Sequence, residues 1–147
     1  MMIPQRFLAK TAAAAAAALL AVLGTGLGTG LEAAQDAPKR PKLSLRATPP
    51  MAFTPATITL VAELRDGDDD YAEYYCASVE WDWADGTRSE SSDDCDPYEA
   101  GKSEIRRRFT IQHKYNIEGN YDVQFRLKQR NKVVASARTR VTVRPGR

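Results

Sequence analysis

Hydrophobic and polar residues alternate with a period of two through most of the chain after residue 41. In KLSLRAT, residues Leu43, Leu45 and Ala47 share a face, and in TITLVAEL so do Ile58, Leu60, Ala62 and Leu64. ASVEWDW sets Val79, Trp81 and Trp83 against Glu80 and Asp82. EIRRRFTIQ keeps Ile105, Phe109 and Ile111 in register but puts Arg107 on the apolar side. YDVQFRL sets Tyr121, Val123, Phe125 and Leu127 against Asp122, Gln124 and Arg126. VVASARTRVTV sets Val133, Ala135, Ala137, Val141 and Val143 against Arg138 and Arg140. Strand-length alternation broken by turn residues is the pattern of a sheet with one face buried. It predicts an all-β fold, an antiparallel β-sandwich of about seven strands. RNK between the last two segments predicts a short hairpin turn at Asn131.

The N-terminus has a different pattern. Arg6 and Lys10 precede an uncharged run from Thr11 to Leu31, and small residues follow at EAAQDAP. A basic start, an apolar stretch and small residues at its exit predict a secretory signal peptide over 1–34, cut near Ala33 or Ala34. An uncleaved anchor is the rival, disfavoured by the Gly-Thr-Gly repeats. Residues 35–41 then read as a Pro- and charge-rich spacer, and 42–144 as the folded domain. The mature chain is expected in the periplasm, secreted or on the cell surface, with no membrane span.

The net charge of +2 conceals a division along the chain. Residues 63–99 hold 14 acidic and two basic residues, and residues 100–147 hold 13 basic and three acidic. Folding is expected to intersperse the two signs. A basic sheet face carrying Arg106, Arg108, Arg126, Lys128, Arg138 and Arg140 is the alternative, and it suits a polyanion. No aromatic residues are interleaved there to stack on bases, so nucleic acid is not expected as a partner.

Two cysteines, Cys76 and Cys95, permit one intrachain disulfide, which export favours. The stretch DYAEYYCA around Cys76 is similar to the approach to the second cysteine of an antibody variable domain. Its surroundings disagree, since no cysteine lies upstream and both tryptophans follow Cys76.

A better-placed resemblance begins at WDWADGT, residues 81–87, and continues at HKYNIEGNYDVQFRL, residues 113–127. These resemble, in order and spacing, the two signatures of the PKD domain family, with DGDDD at 66–70 where that family carries an acidic bend. The resemblance implies an Ig-like β-sandwich. It also implies an accessory, non-enzymatic module that binds proteins or carbohydrates or acts as a spacer. Trp81 is expected as a core anchor, and Asp85 with Gly86 as a tight turn. Tyr115 is expected as a corner tyrosine whose hydroxyl bonds nearby backbone, with His113 packed beside it. Gly119 is expected to give a sharp turn into the strand that begins at Tyr121. Ala84 stands where the family usually has glycine. Residues 87–104 exceed the pattern and read as an enlarged loop tied back by Cys76–Cys95.

Acidic residues carry the sharpest candidate site. Asp66, Asp68 and Asp70, joined across the disulfide by Asp93, Asp94 and Asp96, would offer calcium hard oxygen ligands, with Asp69 between them. That makes a calcium-stabilised adhesion protein the alternative function. An EF-hand is excluded because Tyr71 and Ala77 occupy its glycine and glutamate positions. Catalysis has little support: His113 is the single histidine, and neither Gly-x-Ser-x-Gly nor His-Glu-x-x-His occurs.

Overall fold

The computed structural model describes residues 36–147, so the expected signal peptide lies outside the described residues. Eight strands form two sheets: β1 (Lys42–Thr48), β2 (Met51–Phe53), β3 (Ala56–Arg65), β4 (Ser78–Asp82), β5 (Arg88–Ser91), β6 (Arg108–Tyr115), β7 (Gly119–Gln129) and β8 (Lys132–Arg144). One sheet has the order β1-β3-β6 and the other β2-β8-β7-β4-β5. Among the described residues a single 3-10 turn, Ala72–Tyr74, interrupts the all-β pattern.

The strand count exceeds the expected seven because two edge strands are invisible to periodicity. β2 is three residues long, between Pro50 and Pro55, and β5 is a polar RSES segment with no buried residue. β5 pairs with β4, so the expected loop at 87–104 begins with a strand. β2 also corrects the all-antiparallel expectation, since it runs parallel to β8 with Met51 opposite Thr142. The first chain segment thus changes sheets between β1 and β2, closing one corner of the sandwich.

Alternation in β3 is borne out residue by residue, with Ala56, Ile58, Leu60, Ala62 and Leu64 all buried. Facing them are Val123, Phe125 and Leu127 of β7 and Val141 of β8, each with no solvent exposure. In β8 the expected inward Val133 is exposed and Val134 is buried instead. The register slips between Leu127 and Lys128, and the resulting bulge reverses the side-chain parity beyond it. The β7–β8 hairpin has a two-residue loop, Arg130-Asn131, with both residues at positive φ, the type I′ geometry that matches strand twist.

The spacer is part of the folded body. Pro41 is buried, and Asp68 N–H donates to the Lys39 carbonyl at 2.9 Å. Arg40 donates to the Tyr74 hydroxyl at 2.7 Å and to the Val134 carbonyl. Gly67, at φ +64°, has no room for a side chain because a Cβ would lie 2.5 Å from Pro41 N.

Ala84 adopts φ +58°, a left-handed conformation that glycine takes without strain. Its N–H bonds Asp82 Oδ1 at 3.1 Å, a contact that glycine keeps. Ala84→Gly is therefore expected to stabilise the domain by about 0.5–1 kcal/mol, roughly 3–5 °C in a thermal melt. An unchanged or lower midpoint would show that the turn carries no strain.

Candidate functional site

Three assemblies of side chains stand out. The first unites the two sequence signatures. Trp83 is 1% exposed and lies between Trp81 and His113, with ring centroids at 5.7 and 4.2 Å and near-parallel planes. Its indole N–H donates to Ser89 Oγ at 3.0 Å. Asp85 Oδ1 accepts from the Thr87 N–H and hydroxyl, at 2.9 and 2.6 Å, and Oδ2 lies 2.7 Å from His113 Nε2. Burial pushes the Asp85 carboxyl up, but the donors from Thr87 and His113 outweigh it and hold the group below the usual carboxylate range. Gly86, at φ +89°, completes the expected tight turn. This is a folding device: aspartate orders the turn, and the turn orients the histidine ring that covers Trp83.

The corner bond expected of Tyr115 is made by Tyr121 instead. Tyr115 donates to the Trp83 carbonyl at 3.1 Å, from one sheet to the other. Tyr121 makes the local corner bond, donating to the Ile117 carbonyl four residues upstream at 2.7 Å. Gly119 makes no special turn. It opens β7 opposite Val143, and a Cβ there would meet the Tyr121 ring at an ordinary 3.4 Å.

Burial, then the nearby Asp85 charge, pushes the Tyr115 hydroxyl well above its ordinary value. A phenol whose folded pKa is raised contributes stability that is complete below the unfolded value of about 10 and is lost as pH rises beyond it. Tyr115→Phe should cost about 1 kcal/mol at neutral pH. The gap between wild type and variant in urea midpoint should close between pH 10 and 11, because only the wild type then has this proton to lose. A constant gap would contradict the buried cross-sheet bond.

The second assembly is the acidic bend. Arg107, out of place in the sequence pattern, reaches into it. Its Nη1 donates to the carbonyls of Leu64 at 3.2 Å and Asp66 at 2.8 Å, its Nη2 to that of Gly67 at 3.1 Å, and its Nε to the Asp69 carboxylate. Two more carboxylates in the bend have internal partners. Asp68 Oδ2 accepts from Lys39 N–H at 2.5 Å, and Asp70 accepts from the Tyr98 hydroxyl and from Gly101 N–H at 2.6 Å. Those donors lower the Asp70 pKa, the Tyr98 hydroxyl first. Across the disulfide, Asp93 pairs with Arg106 at 3.3 Å. Among the described residues no three His, Cys, Asp or Glu side chains are gathered so as to hold a metal ion. The sequence brings Asp66, Asp68, Asp70, Asp93, Asp94 and Asp96 near one disulfide, but the fold does not converge them into a cage.

The third assembly surrounds the disulfide. Cys76 and Cys95 are bonded, the one intrachain pairing that the sequence permits. Beside them Tyr75 and Tyr98 stand with ring centroids 5.6 Å apart. Tyr75 is held by its hydroxyl, which donates to the Asp96 carbonyl at 3.0 Å, and by its carbonyl, which accepts from the Gln129 amide. The two rings, with Glu73, Asp96, Gln129 and Arg130, wall an open cleft of about 510 Å³. A second depression of about 440 Å³, edged by Glu99, Lys102 and Glu104, shares Tyr75 and Asp96 with it. Neither tyrosine was singled out by sequence reasoning. The signal available was their closeness to the cysteines, Tyr75 next to Cys76 and Tyr98 three residues after Cys95.

Charge on the sheets is unevenly paired. Outside the five-stranded sheet a ladder runs from Glu90 through Lys128, Glu80, Arg126 and Asp82 to Arg88, and Arg140 pairs with Asp122. The basic face read from parity is therefore divided: Arg126, Lys128 and Arg140 are neutralised there, while Arg108 lies on the other sheet. Among the described residues no helix is long and apolar enough to cross a membrane.

No family model and no curated protein matches the chain. Among solved structures it is similar to the crystal structure of the CARDB domain of the PF1109 protein from Pyrococcus furiosus, in complex with di-metal ions. The TM-score is 0.48 and the identity 13%, over 74% of this chain and 97% of that one. It is also similar to the solution NMR structure of the same domain, with TM-score 0.39 and 13% identity over 71% and 94% of the two chains.

Proposed function

We propose that the chain is an exported, non-enzymatic interaction module, resembling PKD domains, whose disulfide-tied cleft is its binding face for a protein or carbohydrate. The observation that carries this reading is the placement of Tyr75 and Tyr98 as walls of one cleft beside the Cys76–Cys95 bond, each ring held by its hydroxyl. Aromatic walls held in place lose little freedom when a ligand binds, and a rim of carboxylate, amide and guanidinium groups supplies orientation. The PKD resemblance supports the same class of activity. The exported location rests on the basic and apolar leader, and a disulfide suits it. Calcium is outside this proposal, because Arg107 already supplies the cation that the acidic bend needs.

Screening the exported protein against glycan and peptide arrays tests the reading. The expected result is a ligand whose binding Tyr98→Ala weakens about tenfold or more while the melting temperature stays within a few degrees. Binding indifferent to Tyr98 and Tyr75 substitutions would move the site elsewhere. Silence on both arrays would leave a spacer as the better account.

A further inference from the structure

Strand β6 is an open edge with its hydrogen-bonding groups arranged for a ninth strand. It pairs with β3 alone among the described residues. Leu64 N–H donates to the Arg107 carbonyl at 2.8 Å, and these residues continue the register in which Ala62 faces Phe109. In an antiparallel ladder, alternate residues direct both main-chain groups to the same neighbour. Phe109, Ile111, His113 and Tyr115 therefore spend theirs on β3. Arg108, Thr110, Gln112 and Lys114 direct theirs outward. The Arg108 carbonyl accepts from Arg106 Nε at 3.2 Å, which leaves Thr110, Gln112 and Lys114 with main-chain donors and acceptors that no other described residue meets.

Side chains at this edge specify what suits it. On the inner side, Ile111 and His113 are half-buried, whereas Leu60 and Ile58 opposite them are fully buried. The open side of the sandwich thus leaves an apolar ledge. On the outer side, the three-stranded sheet carries Lys42, Arg46, Arg65, Arg108 and Lys114 against the single carboxylate of Glu63. Arg65, after it Arg108 and Arg46, lowers the Glu63 pKa, so it stays ionised and still leaves an excess of cations. Edge lysines and arginines ordinarily deter pairing. They deter a second copy of this chain in particular, because a two-fold antiparallel pairing of β6 sets Arg108 against Lys114. They favour a strand with carboxylates at the matching positions.

We propose that β6 is a second docking surface, distinct from the tyrosine cleft. It takes an extended segment of an acidic partner protein by strand addition. The partner strand lies antiparallel to β6, with apolar residues over Ile111 and His113 and acidic residues beside Arg108 and Lys114.

The probe is the capped peptide Glu-Val-Thr-Val-Thr-Val-Glu, tested with the exported protein by amide hydrogen exchange. In the free protein the amides of Thr110, Gln112 and Lys114 should exchange quickly, and those of Phe109, Ile111 and His113 slowly. Excess peptide should slow the first three by about tenfold or more. N-methylation of the peptide's third and fifth residues, whose N–H groups face β6, should abolish that protection. N-methylation of its second and fourth residues should leave it intact. A peptide with lysine in place of both glutamates should bind only after R108E and K114E are introduced together. Because the N-methyl comparison alters only the peptide, it stands even if those protein variants fold poorly. Several outcomes overturn the proposal. The three amides could be protected already in the free protein. Protection could rise with protein concentration alone, which makes the occupant a second copy. A heparin fragment could reproduce the effect regardless of methylation, which makes the face a polyanion surface.

Discussion

Trp83→Ala should lower the stability of this domain by about 4 kcal/mol, read as the shift in its urea or thermal midpoint. The indole is 1% exposed, and alanine would leave a void between the rings of Trp81 and His113. Two independent bonds are disturbed with it: the indole N–H to Ser89, and, through loosening of the main chain, the Tyr115 hydroxyl to the Trp83 carbonyl. Domains of this size have about 5–15 kcal/mol in hand, so the variant should be marginal at 37 °C. Trp83→Phe keeps a ring in the stack and should cost about half as much. A loss below about 1.5 kcal/mol for the alanine variant would mean that the stack collapses to fill the void and is not the keystone described. His113→Ala then provides a control, since it uncovers Trp83 without opening the centre of the core.

Arg107→Ala should cost about 3 kcal/mol, more than a surface cation normally contributes. Three carbonyls and one carboxylate meet its guanidinium, which is 32% exposed, so water can replace only part of what is lost. The damage should spread. The bend at 66–70 holds Lys39 through Asp68, and Gly67 packs on Pro41, so the 39–41 segment should detach as well. Limited proteolysis should cut the variant near Lys39 and Arg40 at protein concentrations where the wild type resists. Arg107→Lys should recover less than half of the loss, because an ammonium cannot span the three carbonyls that the planar fork reaches. Wild-type protein should melt at the same temperature in calcium and in chelator. A calcium-dependent rise of several degrees would contradict the view that Arg107 is the bend's cation and revive a metal site among its aspartates.

These two residues differ in how far the sequence announced them. Trp83 directly follows β4 and keeps its alternation with Val79 and Trp81 against Glu80 and Asp82, so its burial follows from parity. Arg107 broke the parity of its own segment, and that irregularity was its signal. The meaning of the irregularity came from residues 38 to 43 positions earlier, which no local pattern connects to it. Tyr75 and Tyr98 lie between these cases. Their closeness to the cysteines was visible, but their meeting at one cleft depends on a bond between residues 19 apart.

By itself the sequence determined the all-β class, the inward faces of β1, β3, β4 and most of β7, the hairpin at Asn131 and the one possible disulfide. Each follows from a local rule: strand periodicity, turn conformation or cysteine count. Only the tertiary structure decided the rest. β2 and β5 exist because neighbouring strands offer them hydrogen bonds, not because they bury a face. Val134 displaces Val133 from the core because a bulge resets the register between two strands. Tyr115 bonds across the sandwich and Tyr121 back to its own corner because of distances set by packing. The aspartates lack a common centre because the guanidinium of Arg107 and the hydroxyl of Tyr98, both distant in the chain, occupy their carboxylates. Side-chain periodicity is a property of neighbours in the chain. Charge neutralisation, edge exposure and cleft formation belong to neighbours in space.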